Sequence, residues 1–142
     1  MKFVAKLYVF LLFFQNEPNL EQEIIETLMN ALKLCDTDTQ GDRQLLYTFR
    51  KGMVYHRLAN VYRNSYVHEV ENEPRKKKLL QLVRLYYEKS AKTFEHLGET
   101  KEQLQIQCDR LQMQDILCEG TLFKLFSPIL FVYASIFCDR NS

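Results

Sequence analysis

Glycine and proline are scarce in this sequence, with four and three of them among 142 residues. Tight turns depend on these residue types, so a turn-rich β fold is disfavoured, and the abundant Leu, Glu, Lys and Gln favour helices. Glycine-rich phosphate loops are also missing, as are the G-x-S-x-G and H-E-x-x-H motifs of hydrolases. His56 has no acid or nucleophile at a catalytic spacing. The sequence therefore predicts an all-α globular protein that is not an enzyme and has no catalytic residues.

Cysteine is too sparse and too scattered for a disulfide scaffold. The four cysteines form no C-x-x-C pair, and the three histidines lie at no zinc-ligand spacing. We expect no metal and no cofactor. Three of the cysteines fall within helical patterns, where we expect them to be buried free thiols in a reducing compartment: Cys35, Cys108 and Cys118.

No charge of one sign dominates, since 19 Lys and Arg face 18 Asp and Glu for a net charge of +1. A protein that binds the phosphate backbone of a nucleic acid usually carries a strongly basic face. Direct sequence-specific binding of nucleic acid is therefore not expected. The sharpest local charge is the run Arg75, Lys76, Lys77 and Lys78. It predicts either a solvated helix start or a functional site, which would be a nuclear-import signal or a contact for an acidic partner or a phosphate.

Long hydrophobic runs are absent as well, although both ends of the chain are apolar. Residues 1–14 resemble a signal peptide without its cleavage site, and the alternatives are a buried or interfacial segment or a stretch that is not native to the fold. The run at 125–138 has 14 residues, whereas a helix that spans a bilayer needs about 20. We expect the tail to pack at the edge of the helices or to be foreign to the domain, and a membrane is unlikely to be its partner. The predicted organisation is an N-terminal segment at 1–14, a helical domain at 15–120 and a tail at 121–142, in a chain that is complete or a fragment.

Apolar residues at three- and four-residue steps predict four main helices. They run from Asn19 to Cys35, from about Gln44 to Tyr66, from Pro74 to Leu97 and from Thr100 to Leu117. Asn19 and Thr100 are candidate N-caps, the latter in a capping box with Gln103, and Gly98 is a candidate C-terminal glycine. On the second helix the apolar stripe leaves Asn60 on the opposite side.

The second and third helices carry a pattern typical of tetratricopeptide repeats, W-x2-L-G-x2-Y followed by A-x3-F. Tyrosine replaces Trp and alanine replaces Gly in the first half, and the small residue still permits close helix approach. The predicted repeat-packing residues are Tyr55, Leu58, Ala59, Tyr62, Val83, Tyr87, Ser90 and Phe94. The stretch 63–76 exceeds the ordinary spacing, which predicts a lengthened internal turn. The predicted fold is a set of antiparallel helical hairpins of tetratricopeptide-like type with apolar end segments, and a plain four-helix bundle has the same periodicities.

The middle of the chain, residues 19–119, resembles the C-terminal region of the erythroid differentiation-related factor family. Three segments carry the resemblance: Ala31-Leu32-Lys33-x-Cys35-Asp36-Thr37, His56-Arg57-Leu58-Ala59-x-x-Tyr62 and Tyr87-x-Lys89-Ser90-Ala91-Lys92-x-Phe94. The resemblance implies a piece of a large, nuclear, tetratricopeptide-containing protein linked to transcriptional activation, with no catalytic residues. We therefore expect an interaction module whose protein partner the sequence does not identify, in the nucleus. The alternative is a small secreted or membrane-associated helical protein that is anchored by its apolar ends.

Overall fold

Four helices make up the part of the chain that the structure, a computed structural model, describes: residues 18–37, 41, 43–118, 128, 129, 132, 133, 135 and 136. They are α1 (Pro18–Thr37), α2 (Gln44–His68), α3 (Glu73–Leu97) and α4 (Thr100–Leu117). No strand occurs among these residues. The prediction of an all-α chain with four main helices is confirmed.

The helices α1, α2 and α3 belong to one compact unit, residues 1–98, and α4 belongs to a second, residues 99–142. In the first unit, α1 packs on α2, and α2 packs along α3. The start of α2 lies beside the end of α3, where the ring centroids of Phe49 and Phe94 are 5.4 Å apart. The end of α2 lies beside the start of α3, where the ammonium group of Lys76 sits 5.3 Å from the ring centroid of Tyr66. The two helices therefore run antiparallel as a hairpin.

The lengthened internal turn predicted for residues 63–76 is wrong. Only residues 69–72 separate α2 from α3, and each of these helices is 25 residues long. The residues that exceed the repeat spacing extend both helices, and they still contribute to the hairpin there: Lys76 lies over the Tyr66 ring, and Leu79 is buried. The candidate cation run lies in the first turns of α3.

Helix ends agree with the sequence at α3 and differ elsewhere. Gly98 ends α3 with a φ of 70°, in the left-handed region that favours glycine. At the other end of the helix, Asn72 is the N-cap. The two N-cap predictions outside α3 are wrong. Helix α1 already begins at Pro18, and the N-cap of α4 is Glu99, with no side-chain capping hydrogen bond. Boundaries of this kind commonly differ by one or two residues.

The core of the first unit is a continuous set of apolar side chains from all three helices. Burying each large aliphatic or aromatic side chain contributes about 1.5–3 kcal/mol relative to exposure. The buried apolar residues are Ile24, Leu28, Leu58, Ala59, Val61, Leu79, Val83, Tyr86, Tyr87 and Phe94.

In the second unit, α4 buries Ile106, Asp109 and Met113. Their spacing of three and four residues places them on one face of the helix. The amide of Gln105 donates to the Asp109 carboxylate over 3.2 Å. The apolar side chains described in the tail are more than half exposed: Ile129, Val132, Tyr133 and Ile136.

The apolar segment 1–14 lies outside the described residues, and the predicted domain boundaries near residues 14 and 120 fall there too. Those boundaries stay predictions. Within the described part of the chain, no helix combines the length and the apolarity that crossing a membrane requires.

Candidate functional site

The eight predicted repeat-packing residues all lie on the α2–α3 hairpin. Tyr55 and Tyr62 are half-buried on α2. The other six are buried: Leu58, Ala59, Val83, Tyr87, Ser90 and Phe94. The hairpin thus concentrates its small and aromatic residues at the contact between the two helices.

The two helices approach each other closely at Gly52, which the sequence pattern did not single out as a packing position. A Cβ atom at this position would lie 2.9 Å from Cζ of the Phe94 ring. Ser90 lies one helical turn earlier, and its hydroxyl donates to the carbonyl oxygen of Gly52 over 2.8 Å. Phe94 is fully buried, so its ring has little freedom to move aside. A glycine inside a helical pattern was the available signal for this contact.

Ala59 occupies the equivalent position two helical turns further along α2. The residue that follows it, Asn60, accepts a hydrogen bond from the hydroxyl of Tyr87 over 2.6 Å. The antiparallel register therefore places Ala59 opposite Val83 and Tyr87, seven residues before Ser90 and Phe94 in each case. The prediction that Asn60 lies on the side away from the contact is wrong, because its side-chain oxygen accepts the hydrogen bond from the Tyr87 hydroxyl of α3. Gly52 and Ala59 on α2 thus each face two residues of α3 that are four positions apart.

Three tyrosines form an aromatic cluster beside α1. The rings of Tyr62 and Tyr86 are stacked with centroids 5.7 Å apart, and Tyr55 lies 6.1 Å from Tyr86. The hydroxyl of Tyr86 reaches the sulfur of Met29 on α1 over 3.8 Å. Burial raises the pKa of Tyr62 and Tyr86 above the ordinary value of 10.0, and the neighbouring phenols add to the effect. The cluster joins the hairpin to the helix that precedes it.

The turn between α2 and α3 is held by its own polar side chains. The side-chain oxygen of Asn72 accepts from the backbone amide of Arg75 over 3.0 Å. The carboxylate of Glu69 accepts from the backbone amide of Asn72 over 3.2 Å and forms an ion pair with the Arg75 guanidinium over 3.0 Å. Half of the basic run is thereby engaged within the hairpin, since Arg75 pairs with Glu69 and Lys76 lies over Tyr66. Lys77 and Lys78 are exposed.

Apolar side chains stand near these lysines at the same end of the hairpin. Val67 is 49% exposed at the end of α2, and Val70 is 81% exposed in the turn. We call Val67, Val70, Lys77 and Lys78 the turn-end surface. This surface combines exposed apolar area with two cations. The capping hydrogen bonds of the turn hold its backbone in place.

Among the described residues, no group of three or more His, Cys, Asp or Glu side chains is placed to hold a metal ion. Burial raises the pKa of Cys35 and Cys108, which makes their thiols poorer nucleophiles at neutral pH. These two thiols are partially buried, whereas Cys118 is exposed, so the prediction of a buried thiol there is wrong. Cys138 lies outside the described residues. His56 stands beside Tyr87, with ring centroids 6.1 Å apart.

These features define a helical-repeat protein of the tetratricopeptide type, in which antiparallel hairpins approach closely at small residues. The family described as erythroid differentiation-related factor 1-like tetratricopeptide repeats matches residues 11–123. The chain belongs to this family.

Curated relatives agree with the family match. The chain is 34% identical over 96 residues to erythroid differentiation-related factor 1 of Homo sapiens and likewise to that of Mus musculus. The protein of the same name from Pongo abelii is 33% identical over 96 residues. The aligned region is 67% of this chain and 8% of each relative, so the chain spans a small part of their length. No solved structure matches the chain.

Proposed function

We propose that this chain is a protein–protein interaction module of a nuclear protein that takes part in transcription regulation. The observation that carries the proposal is that different residues of the α2–α3 hairpin form its internal contact and its exposed surface. Small and aromatic side chains make the contact between the helices, whereas the turn-end surface faces solvent. Helical-repeat proteins bind their partners through exposed surfaces of their stacked repeats. The nuclear and transcriptional part is supported by the family resemblance.

The turn-end surface is suited to a partner for two physical reasons. Its exposed valines offer apolar area whose burial contributes about 25 cal/mol per Å². Lys77 and Lys78 add charge that steers an oppositely charged partner and favours the correct orientation. The Asn72 cap and the Glu69–Arg75 pair already hold the turn, so the entropy cost of ordering its backbone on binding is small.

Fractionation of cells that express the tagged full-length chain tests the cellular part of the proposal. We expect recovery in the soluble nuclear fraction. Recovery only from membranes, and only with detergent, would overturn the proposal and support the alternative of a membrane-associated protein.

Charge reversal tests the surface. Lys77→Glu/Lys78→Glu should abolish cross-links between the full-length chain and its nuclear partner in quantitative cross-linking mass spectrometry. Lys101→Glu/Arg110→Glu is the matched control, because both residues are exposed on α4 and the change in net charge is the same. Equal loss in both variants would indicate non-specific electrostatics. Undiminished cross-links in the first variant would show that the partner binds elsewhere.

A further inference from the structure

Lys89 on α3 is held over two aromatic rings at the edge of the tyrosine cluster. Its ammonium nitrogen lies 5.5 Å from the ring centroid of Tyr55 and 5.7 Å from that of Tyr86. The negative face of an aromatic ring attracts a cation at such distances. Among the described residues, no carboxylate lies within ion-pair distance of this ammonium, and its neighbour Glu88 pairs with Lys92 over 2.7 Å. Lys89 is exposed, so its N–H donors are accessible from solvent.

A second ammonium group meets the same tyrosine. Lys51 forms an ion pair with Asp36 of α1 over 2.5 Å. The hydrogen bond to Asp36, with a smaller contribution from the Tyr55 hydroxyl, raises the pKa of Lys51. Tyr55 therefore has the Lys89 ammonium over its ring face and interacts electrostatically with Lys51.

These groups lie on one side of the first unit, between α1 and α3. Tyr86 contacts Met29 of α1, and Lys51 contacts Asp36 of the same helix. The sulfur and the ring edges provide apolar contact area, and Lys89 provides positive charge. We call Lys51, Tyr55, Tyr86 and Lys89 the tyrosine–lysine surface.

We propose that the tyrosine–lysine surface binds an acidic peptide segment of a partner protein, with a Glu or Asp carboxylate accepting hydrogen bonds from Lys89. This rests on the proposed function, that the chain binds a protein. Charge complementarity selects the occupant, because Lys51 of this surface is paired with Asp36, whereas Lys89 has no carboxylate partner among the described residues. The rings restrict the lysine side chain before binding, which lowers the entropy cost of the contact.

A carboxylate fits this surface better than a phosphate does. Lys51 is already neutralised by Asp36, so a dianion that approached both lysines would also approach the Asp36 carboxylate. A single carboxylate at Lys89 avoids that repulsion, and the methylenes of a glutamate side chain can lie on Met29 and the tyrosine ring edges. The charge-assisted hydrogen bond is the main polar contribution.

Fluorescence anisotropy with a fluorescein-labelled octaglutamate peptide and the full-length chain at low ionic strength tests the proposal. Lys89→Gln should weaken binding about tenfold, the effect of losing one charge-assisted hydrogen bond. Lys89→Arg should retain most of the affinity. The matched controls are Arg84→Gln, an exposed cation on the same helix that belongs to neither surface, and Lys92→Gln, whose partner is Glu88. Neither should weaken binding by more than about twofold, because surface pairs contribute little.

Three results would overturn the proposal: no binding of octaglutamate, equal weakening by Arg84→Gln and Lys89→Gln, or tighter Lys89-dependent binding of a labelled oligothymidylate than of octaglutamate. The thermal unfolding midpoint of each variant identifies any loss of folding. Failure here would leave the proposed function standing if Lys77→Glu/Lys78→Glu still abolishes nuclear cross-links. If neither Lys77→Glu/Lys78→Glu nor its control Lys101→Glu/Arg110→Glu reduces those cross-links, and octaglutamate binds at Lys89, the partner site lies on the tyrosine–lysine surface instead.

Discussion

The hydroxyl of Ser90 donates to the backbone carbonyl oxygen of Gly52 over 2.8 Å, across the two antiparallel helices of the hairpin. This bond is possible because Gly52 has no side chain and lets the ring of Phe94 pack directly against its α-carbon. A polar bond and an aromatic contact therefore fix the same point of the hairpin. Both depend on the small size of residue 52.

Gly52→Ala should destabilise the chain by about 1–3 kcal/mol, as overpacking of a tight core does. The new Cβ would lie 2.9 Å from the buried Phe94 ring. Helix propensity acts in the opposite direction and favours alanine by about 1 kcal/mol. Urea denaturation should show that the steric effect dominates. In a Phe94→Leu background the ring is gone, so Gly52→Ala should become neutral or stabilising; a stabilising effect in the native background would contradict the contact.

Ser90→Ala should cost about 0.5–1.5 kcal/mol of stability through loss of its buried hydrogen bond. Thr93→Ala is the control, since its hydroxyl bonds to Lys89 O within the same helix. That change should fall within about 0.5 kcal/mol of zero, as most surface substitutions do. Equal effects in thermal unfolding would mean that Ser90 does not join the two helices.

Asn72→Ala should lower stability by about 1 kcal/mol, because it removes the N-cap of α3. Asn72→Asp keeps an acceptor oxygen and should retain nearly all of the stability. Glu99→Ala is a second control, because Glu99 is the N-cap of α4 and makes no side-chain capping bond. Urea denaturation of the three variants checks this, and a loss in Asn72→Asp as large as in Asn72→Ala would argue against the cap.

The tyrosine cluster predicts alkaline sensitivity. The raised pKa of Tyr62 and Tyr86 means that the folded chain holds these phenolic protons more tightly than the unfolded chain does. Their contribution is complete below the unfolded pKa of about 10 and is lost as the pH rises through the folded pKa values. Stability measured by urea denaturation should therefore fall above about pH 10, and Tyr62→Phe/Tyr86→Phe should make that fall shallower.

The phenylalanine variants keep the stacked rings and remove only the titrating hydroxyls. Tyr47→Phe is the control outside the cluster and should leave the alkaline fall unchanged. An identical fall in the double variant and the native chain would mean that other groups, such as Lys51 with its raised pKa, cause it.

Local sequence signals were sufficient for the helices themselves. Pro74 and Gly98 bracket α3 because proline suits the first turn of a helix and glycine suits the left-handed C-terminal conformation. The structure begins α3 at Glu73 and ends it at Leu97, next to these two residues. The capping box at Thr100 failed, since a short motif does not decide which of two adjacent residues begins a helix.

Tertiary contacts were less predictable from the sequence. Spacing placed Asn60 on the outer side of α2, yet the Tyr87 hydroxyl reaches across to it. The spacing predicts a turn for residues 63–76 because they exceed the repeat pattern, but the hairpin extends both helices instead. The packing role of Gly52 depends on Phe94, which lies 42 positions away in the chain, so the local pattern around Gly52 does not indicate it.

The most direct test of the central claim, a tetratricopeptide-type hairpin joined at small residues, is a nuclear Overhauser measurement on the isotope-labelled full-length chain. We predict cross-peaks between the α-protons of Gly52 and the ring protons of Phe94, together with cross-peaks between the Tyr62 and Tyr86 rings. Assigned resonances for Gly52 and Phe94 without any cross-peak between them would contradict the hairpin described here.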